Sequence, residues 1–208
     1  MDYAHGHFVD GLILFLFMKS VVLASQSPRR RQLLEWAEID FEVIVQDTDE
    51  SYPDGLTPAE IAQHIARQKA LAVTSIVDKE RIIIAADTIV VLNNRIIGKP
   101  KSKEEAISTL RDLSGRQHQV ITGVVIRKGE QEWSFADVTD VYFHTITNEQ
   151  IEFYVEKYQP YDKAGAYAIQ EWIGVVGIQS VKGDFYNVMG LPVSRVVQVL
   201  QQISSGVK

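Results

Sequence analysis

Hydrophobic residues recur along the chain with two spacings, one typical of strands and the other typical of helices. Short apolar or alternating runs predict strands over residues 21–24, 41–45, 82–92, 95–97, 119–127 and 133–145. The turn residues Asn93-Asn94 and Lys128-Gly129-Glu130 separate successive strands, so two hairpins are predicted. The run at 82–92 is the longest apolar one, and it is predicted to be the central strand.

Helix start signals precede most of the segments that have a helical spacing. Ser27-Pro28 and Thr57-Pro58 place a capping side chain before a proline, and Ser102 and Thr147 begin further capping sequences. The predicted helices span residues 28–38, 58–77, 103–113 and 148–158, followed by a last helix that opens at Leu191-Pro192. Strands that alternate with helices predict a mixed α/β (α+β) fold. If the fold has two lobes, residues 100–160 are expected to form the second.

The composition fits one compact domain or two small lobes that share a core. The chain has 208 residues, 46% of them hydrophobic, and this length can bury a core without disulfides. The absence of cysteine excludes disulfides, thiolate metal sites and cysteine nucleophiles. Because the formal net charge is −6, no nucleic-acid partner is expected.

The N-terminal segment, residues 1–17, differs in character from the rest of the chain. Its apolar run at 12–17 is far shorter than the roughly 20 residues of a membrane helix, and the acidic and histidine residues before the run do not fit a signal peptide. We interpret residues 1–17 as an N-terminal extension or an expression remnant, and residues 18–208 as the folded domain. No membrane partner is expected, and the predicted location is the cytoplasm.

A candidate anion site lies between the first predicted strand and the first predicted helix. Ser25 and Ser27 supply hydroxyl groups there. Arg29 and Arg30 belong to the densest basic cluster of the chain. A helix N-terminus carries unpaired N–H groups and the positive end of the helix dipole, and arginine binds phosphate through paired N–H groups. Considered alone, the same residues fit an ordinary helix cap followed by solvated arginines equally well.

Acidic residues in two places are candidates for catalysis or metal binding. Asp87 follows apolar residues of the predicted central strand, where a charge is costly, so it is a candidate general base or metal ligand. Glu50 lies in an acidic loop with Asp47 and Asp49, and Mg²⁺ prefers carboxylate oxygens completed by phosphate and water. The alternatives are an Asp that caps a turn and an acidic loop that is simply solvated.

Two further segments contain residues that could contact a nucleotide. Lys99, within Gly98-Lys99-Pro100, could meet a phosphate, although the glycine-rich pattern of a P-loop is missing. Small residues in the segment 162–170 would let a ligand approach the backbone, and Gln170 could read a base edge through its amide. A tight structural turn with a solvated Gln170 is the alternative interpretation.

Five short motifs occur in the order found in one known family. They are residues 23–30 (LASQSPRR), 86–88 (ADT), 98–100 (GKP), 163–170 (KAGAYAIQ) and 187–192 (NVMGLP). Together they resemble the Maf family of nucleoside triphosphate pyrophosphatases, also called septum-formation inhibitor proteins. The resemblance extends from about residue 19 to the end of the chain.

This resemblance implies a fold, a reaction and a cofactor. The fold would be an elongated, twisted mixed sheet flanked by helices, with two lobes around a cleft, as in the related inosine triphosphatases. The reaction would split a nucleoside triphosphate between its α and β phosphates, giving the monophosphate and pyrophosphate. The cofactor would be Mg²⁺ or Mn²⁺, and a homodimer is also implied.

The resemblance also implies roles for single residues. Asp87 matches the family's proposed catalytic base, Glu50 an acidic residue near the metal, and Lys99 a lysine of the active cleft. Ser25, Arg29 and Arg30 match the phosphate-binding start of the family, and the positions linked to substrate choice are matched by Arg29, Thr88 and Gln170. The sequence leaves two roles open for Asp87. It could be the general base, or it could mainly bind the metal together with Glu50.

The segment 163–170 resembles the branch of the family that prefers dTTP and UTP, whereas the branch that acts on 7-methyl-GTP differs there. The chain departs from this pattern at Ala168, where a glycine is usual, and at Glu171-Trp172, where a glycine often follows Gln170. The sequence thus predicts a metal-dependent pyrophosphatase that acts on nucleoside triphosphates.

Two other functions remain as alternatives. A nucleotide-binding regulator of septum formation with little catalysis would use the phosphate site but would need neither Asp87 nor Glu50. A kinase or phosphotransferase is disfavoured because a P-loop and a pattern for a second substrate are missing.

Overall fold

The computed structural model describes residues 21–205. They form a mixed sheet of seven strands with helices on both faces, which confirms the predicted mixed α/β fold. The interpretation of residues 1–17 as an extension lies outside the described residues. Within residues 21–205, no helix is both long enough and apolar enough to cross a membrane.

The six predicted strands all form, with ends within two residues of the expected positions. The strands are β1 (Val21–Leu23), β2 (Phe41–Val43), β3 (Ile82–Leu92), β4 (Arg95–Ile97), β5 (Gln117–Lys128), β6 (Gln131–Phe143) and β7 (Ile178–Lys182). The sequence does not predict β7, because polar residues alternate irregularly with its two apolar ones.

The five predicted helices also form, and two short ones are added to them. The helices are α1 (Pro28–Trp36), α2 (Pro58–Thr74), α3 (Lys103–Leu113), α4 (Asn148–Tyr158), α5 (Trp172–Gly177), α6 (Phe185–Met189) and α7 (Val193–Ser205). α1 ends two residues before the predicted boundary, because Glu38 adopts a left-handed φ of 54°. α5 and α6 have six and five residues, too few for a helical period to be visible in the sequence.

The strand order is β2-β1-β3-β5-β6-β7, and β4 pairs with β3 outside this row. β2, β1 and β3 are parallel neighbours, whereas β3, β5, β6 and β7 are antiparallel neighbours. β5 pairs with residues 82–91 of β3. The segment 100–160 therefore extends the same sheet through β5 and β6, and the interpretation of this segment as a second lobe stays a prediction.

One edge of β3 is paired in two places and open between them. β1 pairs with Ile83 and Ile84, whereas β4 pairs with residues 90–92. Among the described residues, no strand pairs with residues 85–89 on this edge. Because successive strand residues point to opposite faces, Asp87 and Thr88 in this gap reach the two faces of the sheet.

The helix α2 lies unusually close to the sheet. Its small residues Ala66 and Ala70 are fully buried against β3, and Gly123 of β5 lies under its first turns. A Cβ atom on Gly123 would lie 2.3 Å from backbone atoms of Ala62 and Gln63. The glycine therefore sets the distance between α2 and the sheet, and with it the position of every side chain that α2 directs toward β3.

Candidate active site

A cleft with a volume of about 440 Å³ opens at the gap along β3. Of the nine site residues expected from the sequence, eight line it: Ser25, Ser27, Arg29, Arg30, Glu50, Asp87, Thr88 and Lys99. The ninth, Gln170, is exposed in a turn and is not one of the lining residues in the described part of the chain. The fold thus brings four separate stretches of sequence to one cleft.

The N-terminus of α1 forms one wall of the cleft. β1 ends at Leu23, and the Oγ atom of Ser27 caps the helix by accepting the N–H of Arg30 at 3.5 Å, as the sequence predicts. The Oγ atom of Ser25 accepts the N–H of Ser27 at 3.2 Å. Both hydroxyls are therefore fixed beside the unpaired N–H groups of the first helical turn, where an anion is stabilised.

Arg30 is 8% exposed and holds three parts of the cleft together. Its Nε donates to the carbonyl of Gly190 at 2.7 Å, and its Nη1 and Nη2 donate at 3.0 Å to the hydroxyls of Ser25 and Thr88. Burial lowers the pKa of Arg30 to about 10, although the nearby charge of Asp87 opposes the change. Arg30 is thus cationic at neutral pH, and part of its donor capacity is committed to the protein.

A buried network of hydrogen bonds continues from Thr88 below the cleft. The hydroxyls of Thr88 and Thr122 lie 2.9 Å apart, and Thr122 donates to the carbonyl of Asn187 at 3.1 Å. The Asn187 side chain, which is fully buried, donates to Val120 O at 3.1 Å and to Thr139 Oγ1 at 2.9 Å. This network explains why the motif at 187–192 belongs to the site: it anchors the turn whose Gly190 carbonyl binds Arg30.

Two carboxylates and one ammonium group form what we call the carboxylate cluster, namely Glu50, Lys69 and Asp87. Lys69 Nζ lies 2.7 Å from Asp87 Oδ1 and 2.8 Å from Glu50 Oε1. The side chains of Asp87 and Lys69 are 14% and 18% exposed, whereas that of Glu50 is 53% exposed. The cluster therefore carries one net negative formal charge next to the wall formed by the N-terminus of α1.

Glu50 stays ionised because cations surround it. Partial burial opposes its ionisation, but the hydrogen bond and charge of Lys69, followed by the charges of Lys99 and Arg30, lower its pKa below the ordinary value. Asp47 from the same loop also lines the cleft, whereas Asp49 accepts the N–H of Ser51 at 3.0 Å. Of the acidic loop, Glu50 is thus the residue that joins the cluster.

Lys69 is the main site residue that the sequence interpretation missed. It lies on α2, four residues after Ile65, which itself follows Ile61 by four, and both isoleucines are buried. Residues at this spacing lie on one face of a helix. A lysine that continues an apolar stripe is the signal that could have identified it, because a charge at such a position needs a partner.

The carboxylate cluster also bears on the expected metal. Within the described residues, no group of three or more His, Cys, Asp or Glu side chains could hold a metal ion. Mg²⁺, however, is commonly held by one or two carboxylates, with phosphate oxygens and water as the other ligands. Glu50 and Asp87 are two carboxylates whose one shared cationic partner is the ammonium group of Lys69, 2.7–2.8 Å away. Two such carboxylates are the ligands that a protein commonly supplies to Mg²⁺.

Alternating charges form what we call the charged row, which starts at Arg29 on the α1 wall and continues through Asp162 and Lys163 on the opposite wall to Glu171. Arg29 Nη1 donates to Asp162 Oδ2 at 3.2 Å, and Lys163 Nζ donates to Asp162 Oδ1 at 2.8 Å. Lys163 Nζ also lies 3.6 Å from Glu171 Oε1. Positive and negative groups therefore alternate from α1 across the mouth of the cleft, and their formal charges cancel.

Glu171, one of the two departures from the family pattern, has a clear structural role. Its Oε2 accepts a short hydrogen bond from the hydroxyl of Tyr154, and that hydroxyl accepts the N–H of Ala168 at 3.2 Å. Burial, together with the neighbouring carboxylate, raises the pKa of Tyr154. Glu171 thus ties the segment 162–168 to α4 and steadies the buried ammonium group of Lys163.

The cleft floor beside the charged row is apolar and rigid. Tyr167 lines the cleft, and its hydroxyl lies 2.7 Å from Nε2 of His118. Burial lowers the pKa of His118 to about 4, so the imidazole is neutral at physiological pH. On the other side, the N–H of Gly165 donates to the carbonyl of Gly98 at 3.2 Å, which ties this segment to the loop that carries Lys99.

The chain is similar to known proteins over nearly all of the described residues. The family model described as Maf-like protein matches residues 20–203. The chain is 47% identical over 184 residues to the dTTP/UTP pyrophosphatase of Bacteroides thetaiotaomicron, a match that covers 88% of this chain and 95% of that protein. It is 49% identical over 183 residues to the dTTP/UTP pyrophosphatase of Cytophaga hutchinsonii, covering 88% and 84% of the two chains. Among solved structures, a HAM1 protein from Coxiella burnetii is similar with a TM-score of 0.48 and 16% identity, covering 89% of this chain and 100% of that one.

Proposed function

The chain belongs to the Maf family, and we propose that it hydrolyses dTTP and UTP between the α and β phosphates, releasing the monophosphate and pyrophosphate. The observation that supports this reaction best is the position of the carboxylate cluster, which faces the same cleft as the N-terminus of α1. One wall is thus suited to bind phosphates, and the adjacent acids are suited to activate water.

The phosphates are bound by fixed donors. Ser25 and the first turn of α1 offer a hydroxyl and backbone N–H groups that are already oriented. Arg30 and Lys99 add positive charge, and Arg30 is held by three hydrogen bonds before any ligand arrives. Donors oriented in advance stabilise the charge that develops on the transferred phosphoryl group without a cost of reorganisation.

Asp87 acts as the general base in this proposal. Lys69 binds its Oδ1 at 2.7 Å and so fixes the carboxylate, while Oδ2 accepts the proton of the water that attacks the α phosphorus in line. The same water adds its hydroxyl oxygen to the α phosphorus, and pyrophosphate leaves. Lys69 is thereby a positioning residue whose charge also keeps Glu50 ionised.

Glu50 and Asp87 are the residues that would hold a divalent cation, Mg²⁺ or Mn²⁺, together with phosphate oxygens of the substrate. When bound, the cation would neutralise phosphate charge and polarise the phosphoryl oxygens. We further infer a cytoplasmic protein whose residues 18–208 form one domain. Its net charge of −6 and its short apolar run at 12–17 indicate that it binds neither nucleic acid nor membranes, and the family resemblance suggests a homodimer. A regulator without catalysis would not need the buried pair of Lys69 and Asp87.

The reaction is tested by product analysis. Purified protein is incubated with Mg²⁺ and either dTTP or UTP, and pyrophosphate and orthophosphate are measured separately. We expect pyrophosphate in equal amount to the monophosphate. Orthophosphate as the primary product would contradict cleavage at the α–β bond, and tight binding without turnover of any triphosphate would favour the regulator.

A further inference from the structure

The charged row is not needed for the phosphate chemistry proposed above. Arg29 is expected from the family resemblance to affect both phosphate binding and substrate choice. In the structure its guanidinium donates to Asp162 on the opposite wall, whereas Arg30 is the arginine held against Ser25 and Thr88. The pairing of Arg29 therefore connects it with the segment 162–168 and separates its task from that of Arg30.

Donors and acceptors alternate in the row. Arg29 and Lys163 each donate to one oxygen of the same carboxylate, Asp162, at 3.2 and 2.8 Å. A guanidinium and an ammonium group have further N–H donors, and a carboxylate can accept several hydrogen bonds. All three residues line the cleft. In the order Arg29, Asp162 and Lys163, a ligand in the cleft would therefore meet a donor, an acceptor and a donor.

We propose that Asp162, flanked by Arg29 and Lys163, selects uracil and thymine by accepting the N3–H of the base. These two bases present an acceptor, a donor and an acceptor at O2, N3–H and O4, which is the complement of the row. Arg29 and Lys163 donate to the two carbonyl oxygens. This inference rests on the proposed function and names the residues that would choose its substrates.

Cytosine and adenine do not match this arrangement. Cytosine has an unprotonated N3 and an exocyclic amino group in place of O4, so its N3 lone pair meets the carboxylate and its amino group meets a cationic donor. Adenine likewise has an acceptor at N1 and an amino group at C6. Cytosine and adenine would thus place an acceptor against the Asp162 carboxylate and a donor against a cationic donor. Such a mismatch rejects a ligand more strongly than the mere loss of a hydrogen bond.

Asp162 has the charge state that the role requires. Partial burial opposes its ionisation, but the hydrogen bonds and charges of Lys163 and Arg29 outweigh burial and lower its pKa. The carboxylate is therefore an acceptor with no proton to donate at neutral pH. Lys163 is only 8% exposed and lies between Asp162 and Glu171, so its ammonium group is held in place.

The cleft beside the row can accept a flat ring. Ala164, Tyr167 and Ala168 line it there. The hydroxyl of Tyr167 is bound by His118 at 2.7 Å, and the N–H of Ala168 is bound by the Tyr154 hydroxyl at 3.2 Å. An apolar surface that is rigid and next to polar groups of fixed direction is the usual arrangement for reading a base edge.

The test compares Asp162→Asn with the unchanged enzyme on UTP, dTTP and CTP. An asparagine keeps the size of the side chain but can donate through its amide nitrogen as well as accept. We expect the ratio of kcat/KM for UTP to that for CTP to fall about tenfold, with CTP hydrolysis rising and UTP hydrolysis falling. Asp162→Ala should also lower the ratio of kcat/KM for UTP to that for CTP. In this variant, however, CTP hydrolysis should not rise.

A matched control and a binding measurement make the result decisive. Asp112→Asn makes the same change at an exposed carboxylate that pairs with Arg95 at 3.1 Å outside the cleft, and it should leave the ratio unchanged. Calorimetric titration with UMP and CMP measures base selection without catalysis. If Asp162→Asn alters UTP and CTP hydrolysis equally and leaves the ratio of UMP to CMP affinity unchanged, Asp162 is only a counter-ion for Arg29.

The two proposals fail in different ways. If no triphosphate is hydrolysed, the proposed reaction is wrong, while the UMP and CMP affinities of the unchanged and Asp162→Asn proteins still decide the inference about the base. If hydrolysis occurs but the ratio does not respond, the reaction stands and the role of Asp162 is wrong.

Discussion

The carboxylate cluster and the charged row both reach the same cleft but differ in net charge, and their acids Asp87 and Asp162 differ in exposure. In the cluster two carboxylates share one lysine, so one negative charge remains uncompensated. In the row Arg29 and Lys163 balance Asp162 and Glu171. A negatively charged group of acids attracts a cation and binds protons, whereas a neutral row of alternating donors and acceptors is suited to recognise an uncharged ligand group by hydrogen bonds. The difference assigns the chemistry to one cluster and the selection to the other.

Burial sets the expected size of the effects. The side chain of Asp87 is 14% exposed and that of Asp162 is 58% exposed. Charges screened by water contribute little, whereas a partly buried charge that loses its partner is costly. Because the carboxylate cluster holds the proposed general base, changes there should act on the rate by orders of magnitude, and changes in the charged row should act mainly on the choice between substrates.

The largest effect is expected for Asp87→Asn. Removal of a general base costs about 10² to 10⁴ in rate, so we expect kcat to fall about a thousandfold. Tm should change little, because Lys69 keeps Glu50 as an ionic partner. Steady-state pyrophosphate release and a thermal melt measure the two quantities. Asp137→Asn, at a carboxylate that binds Arg195 away from the cleft, is the control and should retain activity. Full turnover by Asp87→Asn would remove this residue from the chemical step.

A smaller loss, on the order of a hundredfold in kcat, is expected for Lys69→Met. Without the ammonium group, Glu50 loses the hydrogen bond and charge that lower its pKa, so that pKa rises. A higher pKa means that a more alkaline solution is needed to ionise Glu50. The acidic limb of the kcat/KM profile should therefore move to higher pH, and an unmoved limb would mean that Lys69 does not act through the carboxylates.

The close approach of α2 to the sheet gives a prediction for stability. Gly123→Ala places a methyl group 2.3 Å from the backbone of Ala62, and overpacking of this kind costs about 1–3 kcal/mol. For a chain of this size we expect Tm to fall by about 5 °C, and kcat to fall as well because Lys69 moves with α2. Gly98→Ala, with no atom within 4 Å of the added Cβ, is the control and should leave Tm nearly unchanged.

The last prediction concerns the floor beside the charged row, where the effect appears only in acidic solution. The folded pKa of His118 is about 4, below its usual 6.5, so the unfolded chain takes up a proton first as the solution becomes acidic. Stability is therefore fully present above pH 6.5 and declines as pH falls toward 4, by up to about 3 kcal/mol. His118→Phe should remove this part of the decline. Urea unfolding at pH 7 and pH 5 measures the loss of unfolding free energy between the two pH values. An equal loss in the unchanged protein and in His118→Phe would contradict the assignment.

Much of the fold follows from local sequence signals, because periodicity and capping are local properties. The bounds of β3 and β4 agree with the prediction residue by residue, and Ser27, Thr57 and Thr147 cap their helices as expected. The elements that were missed, β7, α5 and α6, are at most six residues long. β7 is fixed by pairing with β6, and α6 packs on β5 and β6; a local pattern does not contain such contacts.

In the candidate site, too, some residues can be identified from local sequence signals, whereas their pairings depend on the tertiary fold. Asp87 and Arg30 could be selected because a charge near an apolar run and a basic helix start are visible in the sequence. The pairing of Arg29 with Asp162 joins residues 133 positions apart, and that of Lys69 with Asp87 depends on how closely α2 lies on the sheet. Neither pairing follows from spacing. The open edge of β3 between β1 and β4 is likewise a property of the assembled sheet.

The account depends most on water attacking the α phosphorus beside the carboxylate cluster. Hydrolysis of UTP in water enriched in ¹⁸O, followed by mass spectrometry of the products, tests this directly. Attack on the α phosphorus should place the label in UMP and leave pyrophosphate unlabelled. Label in pyrophosphate would place the attack on the β phosphorus and would contradict the proposed arrangement of substrate, Asp87 and Lys69.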